Sequence, residues 1–300
     1  MGSKRIRWPA LSKRLAERWP DARFQAGPIR DNTVEVELFA RPPIVAVPPF
    51  SLTIDGVKLR VVVVVMPLAP FSVAPGLGLT GGISFTGVHP GAAIAIDHTD
   101  GVRHHGGICA LLARSATASR PTHLLTCGHI FEKGEESDVI AADGPNSDEV
   151  VIGTLISNLL EKQIQRDVAL VELSDDGASI ALAGGGPRLK NASSAVTNLR
   201  SRTYQPTLAG FSTWTKTAAK TVNAHVPSTT WAGGFDVQGV IGTLAKVSSP
   251  GDSGTVLLAD TGDGVGSCTA SDGGKSIFEP LARALTAFES KFHLKIWRNP

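Results

Sequence analysis

The chain opens on a helical pattern and then changes period. Trp8, Leu11, Leu15 and Trp19 fall on one face of residues 9–19, which Pro20 ends, so a short helix with an apolar packing face is expected. Residues 33–39 alternate apolar and polar as a half-buried strand does, and Ile54-Asp55-Gly56-Val57 turns into a valine-rich strand over 59–65. Proline-rich Arg41-Pro42-Pro43 and Pro48-Pro49 lie between them. Residues 1–70 therefore predict a small α/β extension. Residues 69–91, rich in glycine and proline, predict a linker. Gly76, Gly78, Gly81 and Gly82 lack the Lys-Ser/Thr sequel and helix pattern of a phosphate cradle, and read as part of that connector.

From there to the C-terminus the apolar residues come in short runs separated by turn residues. Strands are expected over 92–96, 107–113, 124–127, 150–156 and 168–173, then a crossing over 174–200 that contains Gly184-Gly185-Gly186-Pro187. A second set follows, from about Thr203 through 221–226, 234–239 and 255–258 to 264–269. Leu281, Leu285, Phe288 and Phe292 recur at helical spacing behind Pro280, which suits the first turn of a helix over 280–292. The expected domains are residues 1–70, the linker and first β unit over 71–190, and the second β unit with the terminal helix over 191–300.

Composition supports a turn-rich β protein: 32 glycines and 19 prolines accompany only 6% aromatics, and 300 residues at 42% hydrophobic suffice for a full core. A net charge of +2 gives no reason to expect nucleic acid or an anionic membrane as partner. The basic start at Met1-Gly2-Ser3-Lys4-Arg5 is not followed by an apolar signal core, and the run over 61–67 falls short of the ~20 residues that span a bilayer. Cys109, Cys127 and Cys268 cannot all pair within one chain; free buried thiols are expected, which points to a reducing cytoplasm.

The candidate chemistry centres on Ser248-Ser249-Pro250-Gly251-Asp252-Ser253-Gly254-Thr255 and the apolar run after it. A serine flanked by glycines presents a hydroxyl on a tight turn, and the amides of Gly251 and Ser253 could converge on an oxyanion. A hydroxyl needs a base and an orienting carboxylate to become a nucleophile. His129 ends the apolar segment from His123, and Asp167 stands at the mouth of Val168-Ala169-Leu170-Val171. The order is His129, Asp167, Ser253, at separations of 38 and 86 residues.

Thr126-Cys127-Gly128-His129, Asp167-Val168-Ala169-Leu170 and Gly251-Asp252-Ser253-Gly254, in that order, resemble the motifs of the chymotrypsin and trypsin clan of serine proteases over residues 85–292. The resemblance implies a mainly β fold of two six-stranded antiparallel β-barrels with a C-terminal helix. It implies Ser253 as nucleophile, His129 as general acid/base and Asp167 as its orienter, with Gly251 and Ser253 forming the oxyanion hole. It also implies a pocket floor at Val247 and substrate pairing along Cys268, Thr269, Ala270 and Ser271, with a neutral, small or apolar residue at the cleaved position. No cofactor or metal is implied; the partners it leaves room for are a protein or peptide substrate, an activating or regulatory protein, and a second copy of the chain. The extension, with its Ile-Asp-Gly-Val turn and later His-Pro-Gly, looks like that of intracellular trypsin-like proteins of bacteria and plants.

Departures from the family pattern accompany these matches. Ile130 stands where many relatives carry a bridging cysteine, and no activation site generates a new N-terminus for Asp252, so another partner for Asp252 and regulated activation are expected. A protease fold serving as a binding or scaffolding module is the rival reading. An α/β-hydrolase would need Gly-x-Ser-x-Gly and the order serine, acid, histidine, which this chain lacks. His104-His105 reads as a solvated turn, since adjacent strand residues face opposite ways and share no metal easily; His123, His225 and His293 suggest no partners.

Overall fold

The structure is a computed structural model, described here for residues 6–40, 45–67, 87–98, 103–131, 137–142, 149–160, 166–183, 186–201, 204–205, 210–211, 214–226, 235–248, 251–271 and 275–298. Most of the expected linker over 69–91 lies outside these residues, as do Gly184 and Gly185. The protein is mainly β, with a helix near each end and one between the two main sheets.

Helix α1 (Trp8–Arg18) precedes strands β1 (Arg23–Ala26), β2 (Thr33–Ala40), β3 (Phe50–Ile54) and β4 (Val57–Pro67). Asp31 and Asn32 take φ of 47° and 52°, and Asp55 and Gly56 take 51° and 80°, so two tight turns with positive φ at both centres join β1 to β2 and β3 to β4. Trp8, Leu11 and Leu15 of α1 pack on Phe24, Val34, Val36, Leu38, Ile54, Leu59 and Val61. Leu11, Leu15 and Phe24 are fully buried, each contributing about 1.5–3 kcal/mol relative to exposure.

The first barrel uses β5 (Ala93–Asp97), β6 (Arg103–Gly107), β7 (Ala110–Ala113), β8 (His123–Thr126), β9 (Asp138–Ala142), β10 (Glu149–Asn158) and β11 (Ala169–Leu173). Its strand order is β7-β8-β11-β10-β9-β5-β6. The margins β6 and β7 are consecutive in the chain and separated only by Ile108 and Cys109. The Ile108 amide donates to Ala92 O beside β5, and the Cys109 amide to Leu125 O in β8, so one continuous segment changes partners and closes the barrel. Helix α2 (Asp175–Ala183) follows, with Gly177 N donating to Ser174 Oγ at 3.1 Å.

The second barrel uses β12 (Leu199–Ser201), β13 (Tyr204–Gln205), β14 (Gly210–Phe211), β15 (Thr215–Thr217), β16 (Ala219–Val226), β17 (Phe235–Thr243), β18 (Val256–Ala259), β19 (Gly264–Ser271) and β20 (Ser276–Pro280); β13 and β14 form a separate ribbon. The remaining order is β15-β12-β18-β19-β20-β17-β16, whose margins β15 and β16 are again consecutive, broken only at Ala218. The same device thus closes both barrels, six strands each when the broken strand is counted once, in the chymotrypsin-like arrangement. Helix α3 (Leu281–Phe292) and strand β21 (Lys295–Ile296) end the chain, β21 pairing with β7. Leu281, Ala284 and Phe288 of α3 share a core with Leu112, Leu125 and Leu170 of the first barrel and Val256 and Leu258 of the second.

Three expectations are corrected, for His104-His105, the start of the second barrel and Pro280, and the crossing gains a helix. Arg103–Gly107 is a strand, with His105 buried, not a solvated turn at His104-His105, because the segment forms half of the barrel's closing strand. The crossing over 174–200 contains α2. The second barrel begins at Leu199, not Thr203, and Pro280 ends β20 as the N-cap of α3 and does not occupy its first turn. The N-terminal strands continue the second barrel's sheet: β1 pairs with β16 at Phe24↔His225, Gln25↔Ala224 and Ala26↔Asn223. Among the described residues no helix is long and apolar enough to cross a membrane.

Candidate active site

Strand register brings the first two candidate side chains together. Ala169 of β11 pairs with Thr126 of β8, so His129, three residues after Thr126, and Asp167, two before Ala169, leave adjacent antiparallel strands at the same end. Asp167 Oδ1 accepts from the amides of Gly128 (2.8 Å) and His129 (2.9 Å), and Oδ2 lies 2.7 Å from His129 Nδ1. Three N–H groups converge on one carboxyl and fix the orientation of the ring. Nδ1 then carries the proton, which leaves Nε2 as acceptor for the Ser253 hydroxyl at 2.7 Å. His129, Asp167 and Ser253 are 1%, 0% and 5% exposed, so the relay is nearly dry.

The serine loop reaches this point because glycines let backbones touch. Gly107 N donates to Ser253 O at 2.6 Å, and a Cβ on Gly106 or Gly107 would lie within 2.9 Å of Ser253 O or Thr255 Cα. Both glycines end the strand Arg103–Gly107 that carries His104 and His105. Gly254, at φ 84°, donates to Cys268 O at 2.7 Å; a Cβ there would strike Thr126 Oγ1 and approach Gly107 O to 2.6 Å. Gly251 has φ 96°, a conformation that favours glycine, and is buried beside Asp252.

The expected substrate residues are placed as follows. Val247 is buried and its amide donates to Ser276 Oγ at 3.0 Å. Cys268, Thr269 and Ala270 are buried on β19, with a register shift against β20 between Cys268 and Ala270; Ser271 pairs with Ser276, and its side chain lies outside the described residues. Pairing of β19 with β18 runs from Gly264 to Ser267, extended by Cys268 N donating to Thr255 O. Beyond Cys268 the named sheet partner of β19 is β20, on its other edge.

Several contributors carry no motif. Asn158 Nδ2 donates to Gly128 O at 2.8 Å while its Oδ1 accepts from Leu160 N, which holds the peptide before His129. His98 and His104 both donate to Ile130 O, at 2.9 and 3.3 Å, just after His129. Behind Asp167, Arg166 Nη1 donates to Arg283 O at 2.9 Å, and Arg283 binds the fully buried Glu279 through two 2.8 Å bonds. Burial pushes the Glu279 carboxyl up to about 7, although Arg283 opposes it. All three cysteines are free and buried; burial pushes Cys109 up to about 12, and Cys127 and Cys268 well above the usual thiol range. Cys127 Sγ lies 3.9 Å from His129 Nε2, and Cys127, His129 and Asp167 offer ligand atoms within 4.8 Å of one another. Those histidine and aspartate atoms are held in the relay, so a cation there would displace it.

No protein-family model matches the chain, and no curated protein sequence does. Solved structures do resemble it. A glutamic acid specific serine protease, described as using a novel histidine triad in substrate binding, is 21% identical over 70% of this chain and 100% of its own, with a TM-score of 0.47. A serine endoprotease from Yersinia pestis is 16% identical over 68% of this chain and 63% of its own (TM-score 0.43). The MamO protease domain from Magnetospirillum magneticum is 14% identical over 66% and 96% (TM-score 0.44). The first two are serine proteases by name, and the third is a protease domain. Likenesses of that order leave this chain's chemistry to be read from its own residues.

Proposed function

We propose that the protein is a serine endopeptidase acting through Ser253, His129 and Asp167. The observation that carries this reading is the pair of 2.7 Å hydrogen bonds joining Ser253 Oγ to His129 Nε2 and His129 Nδ1 to Asp167 Oδ2. In the proposed cycle His129 Nε2 takes the serine proton as Oγ attacks a peptide carbonyl, and Asp167 stabilises the imidazolium. The amides of Gly251 and Ser253 receive the oxyanion. His129 then protonates the leaving amine, and water, activated by the same nitrogen, releases the acyl group from Ser253. No step needs a cofactor.

The register of β19 supports substrate pairing along Thr269, Ala270 and Ser271, since β20 holds one edge and β18 stops short of them on the other. The depth of the relay supports a restricted protein substrate and a regulated opening, because an extended peptide must displace whatever covers Ser253, a residue that is 5% exposed. A peptide library incubated with the protein and with Ser253→Ala tests the reading. Cleavage at a narrow set of sequences by the native protein alone is expected; equal cleavage by Ser253→Ala would overturn it.

A further inference from the structure

The N-terminal strands are joined to the second barrel by more than sheet pairing. Glu37 of β2 is 7% exposed, and its Oε1 accepts from Lys275 Nζ at 2.6 Å and from Lys220 Nζ of β16 at 3.0 Å. Burial opposes its charge, but the two ammonium groups outweigh burial and hold the carboxyl below its usual range. The Lys275 side chain is 13% exposed and that of Lys220 39%, so the Lys275 bond is the less screened of the two, and losing the carboxylate removes the acceptor that the two ammonium groups share.

Lys275 stands at the head of β20, next to Ser276. Ser276 Oγ accepts from Ser248 Oγ at 2.6 Å and from Val247 N at 3.0 Å, and Ser276 N donates to Thr243 Oγ1 at 2.8 Å. Ser248 lies three residues before Gly251 and five before Ser253, and Ser276 pairs with Ser271 across the β19–β20 hairpin. A continuous run of contacts thus leads from Glu37 through Lys275 and Ser276 to the first residues of the serine loop. The unit's other attachments are separate from it. β1 pairs with β16, Phe24 stacks on His225 with ring centroids 4.7 Å apart, and Ser12 Oγ donates to Asp236 Oδ1 at 2.6 Å.

From this juxtaposition we infer that the N-terminal α/β unit is a built-in brace for the serine loop, with Glu37 and Lys275 as positioning residues that hold Ser276 against Val247 and Ser248. The inference rests on Ser253 being the nucleophile, as proposed above, but its structural half does not. Because β1 and α1 keep the unit docked, breaking the ion pair loosens the loop without releasing the extension.

The test compares the full chain with Glu37→Gln, Lys275→Met, Lys275→Arg and the Glu37→Gln/Lys275→Met double variant. The readouts are the rate of fluorophosphonate labelling, amide exchange at Val247 and Ser276, and the melting temperature. Expected is labelling slowed about tenfold in Glu37→Gln and Lys275→Met, within the usual range for coupled sites, with the double variant no slower than either. Exchange at both amides accelerates in these variants, and Lys275→Arg, which keeps a cation in reach of Glu37, stays near native in both. Native labelling and exchange in Glu37→Gln and Lys275→Met would overturn the brace, as would an equal loss in Lys275→Arg that merely follows melting. A native protein that takes no label defeats the nucleophile reading alone; exchange then decides the brace, acceleration supporting it and no change overturning it.

Discussion

Asp167→Asn separates geometry from chemistry at the site. Asparagine Oδ1 can still accept from the amides of Gly128 and His129, the 2.8 and 2.9 Å bonds that shape the loop. What changes is the third bond. The asparagine amide donates toward Nδ1, so the imidazole must offer a lone pair there and carry its proton on Nε2, the nitrogen that faces Ser253 Oγ. The serine proton then has no acceptor. Acylation should fall by about 10⁴, or about 5.4 kcal/mol of transition-state stabilisation. Stability should change less: three bonds to the carboxyl lose their charge assistance, about 1 kcal/mol each, while the cost of burying a charge goes with it, so a net loss of no more than about 3 kcal/mol is expected. Single-turnover acylation by an activated ester, measured beside a thermal melt, distinguishes the two. Acylation within tenfold of native in a variant that melts normally would refute the tautomer argument.

Other substitutions and titrations test the same packing. Gly254→Ala combines positive φ, costing about 1–2 kcal/mol, with collisions against Thr126 and Gly107, so it should lose at least about 3 kcal/mol in urea unfolding. Gly56→Ala, at φ 80° with nothing within 4 Å, should lose only the backbone share; equal losses would show that the serine loop is not tightly packed. The three thiols should ignore an aromatic disulfide reagent at pH 8 in the folded protein and react fully in denaturant; a fast-reacting native thiol would contradict their burial. Glu279 titrates at about 7 when folded and near 4.5 when unfolded, so between these values the folded chain binds more protons. Its contribution to stability is therefore complete below about pH 4.5 and is lost as pH rises toward 7. Glu279→Gln should remove that part of the slope; an unchanged profile would refute it.

The three side chains that the structure joins by hydrogen bonds, Ser253, His129 and Asp167, were legible as candidates because the proposed chemistry asks for particular residue types: a serine on a glycine turn and strand-end His and Asp, in fixed order. The I′-like turns at Asp55-Gly56 and the stripes of α1 and α3 were legible because turn stereochemistry and helical period are local. The rest was hidden by contacts between distant segments. Arg103-His104-His105-Gly106-Gly107 looks like a turn because its glycines exist for close approach of the Ser253 loop. Helix α2 lacks a legible period because its buried face is made of Gly177, Ala178, Ile180 and Ala181 while Leu182 is exposed, and Ser276–Glu279 of β20 drew no element from the sequence, only Pro280 being read, as the start of the helix. Nothing in Thr33–Phe39 announces that Glu37 meets Lys275, and the Glu279–Arg283–Arg166 contacts behind Asp167 likewise join residues with no shared motif.

The most direct measurement of the central claim is covalent labelling by a fluorophosphonate, with the adduct located by peptide mass. The account predicts a single adduct on Ser253 that is absent from His129→Ala and from Ser253→Ala. A folded native protein that takes no label, or a label on another residue that survives both substitutions, would contradict it.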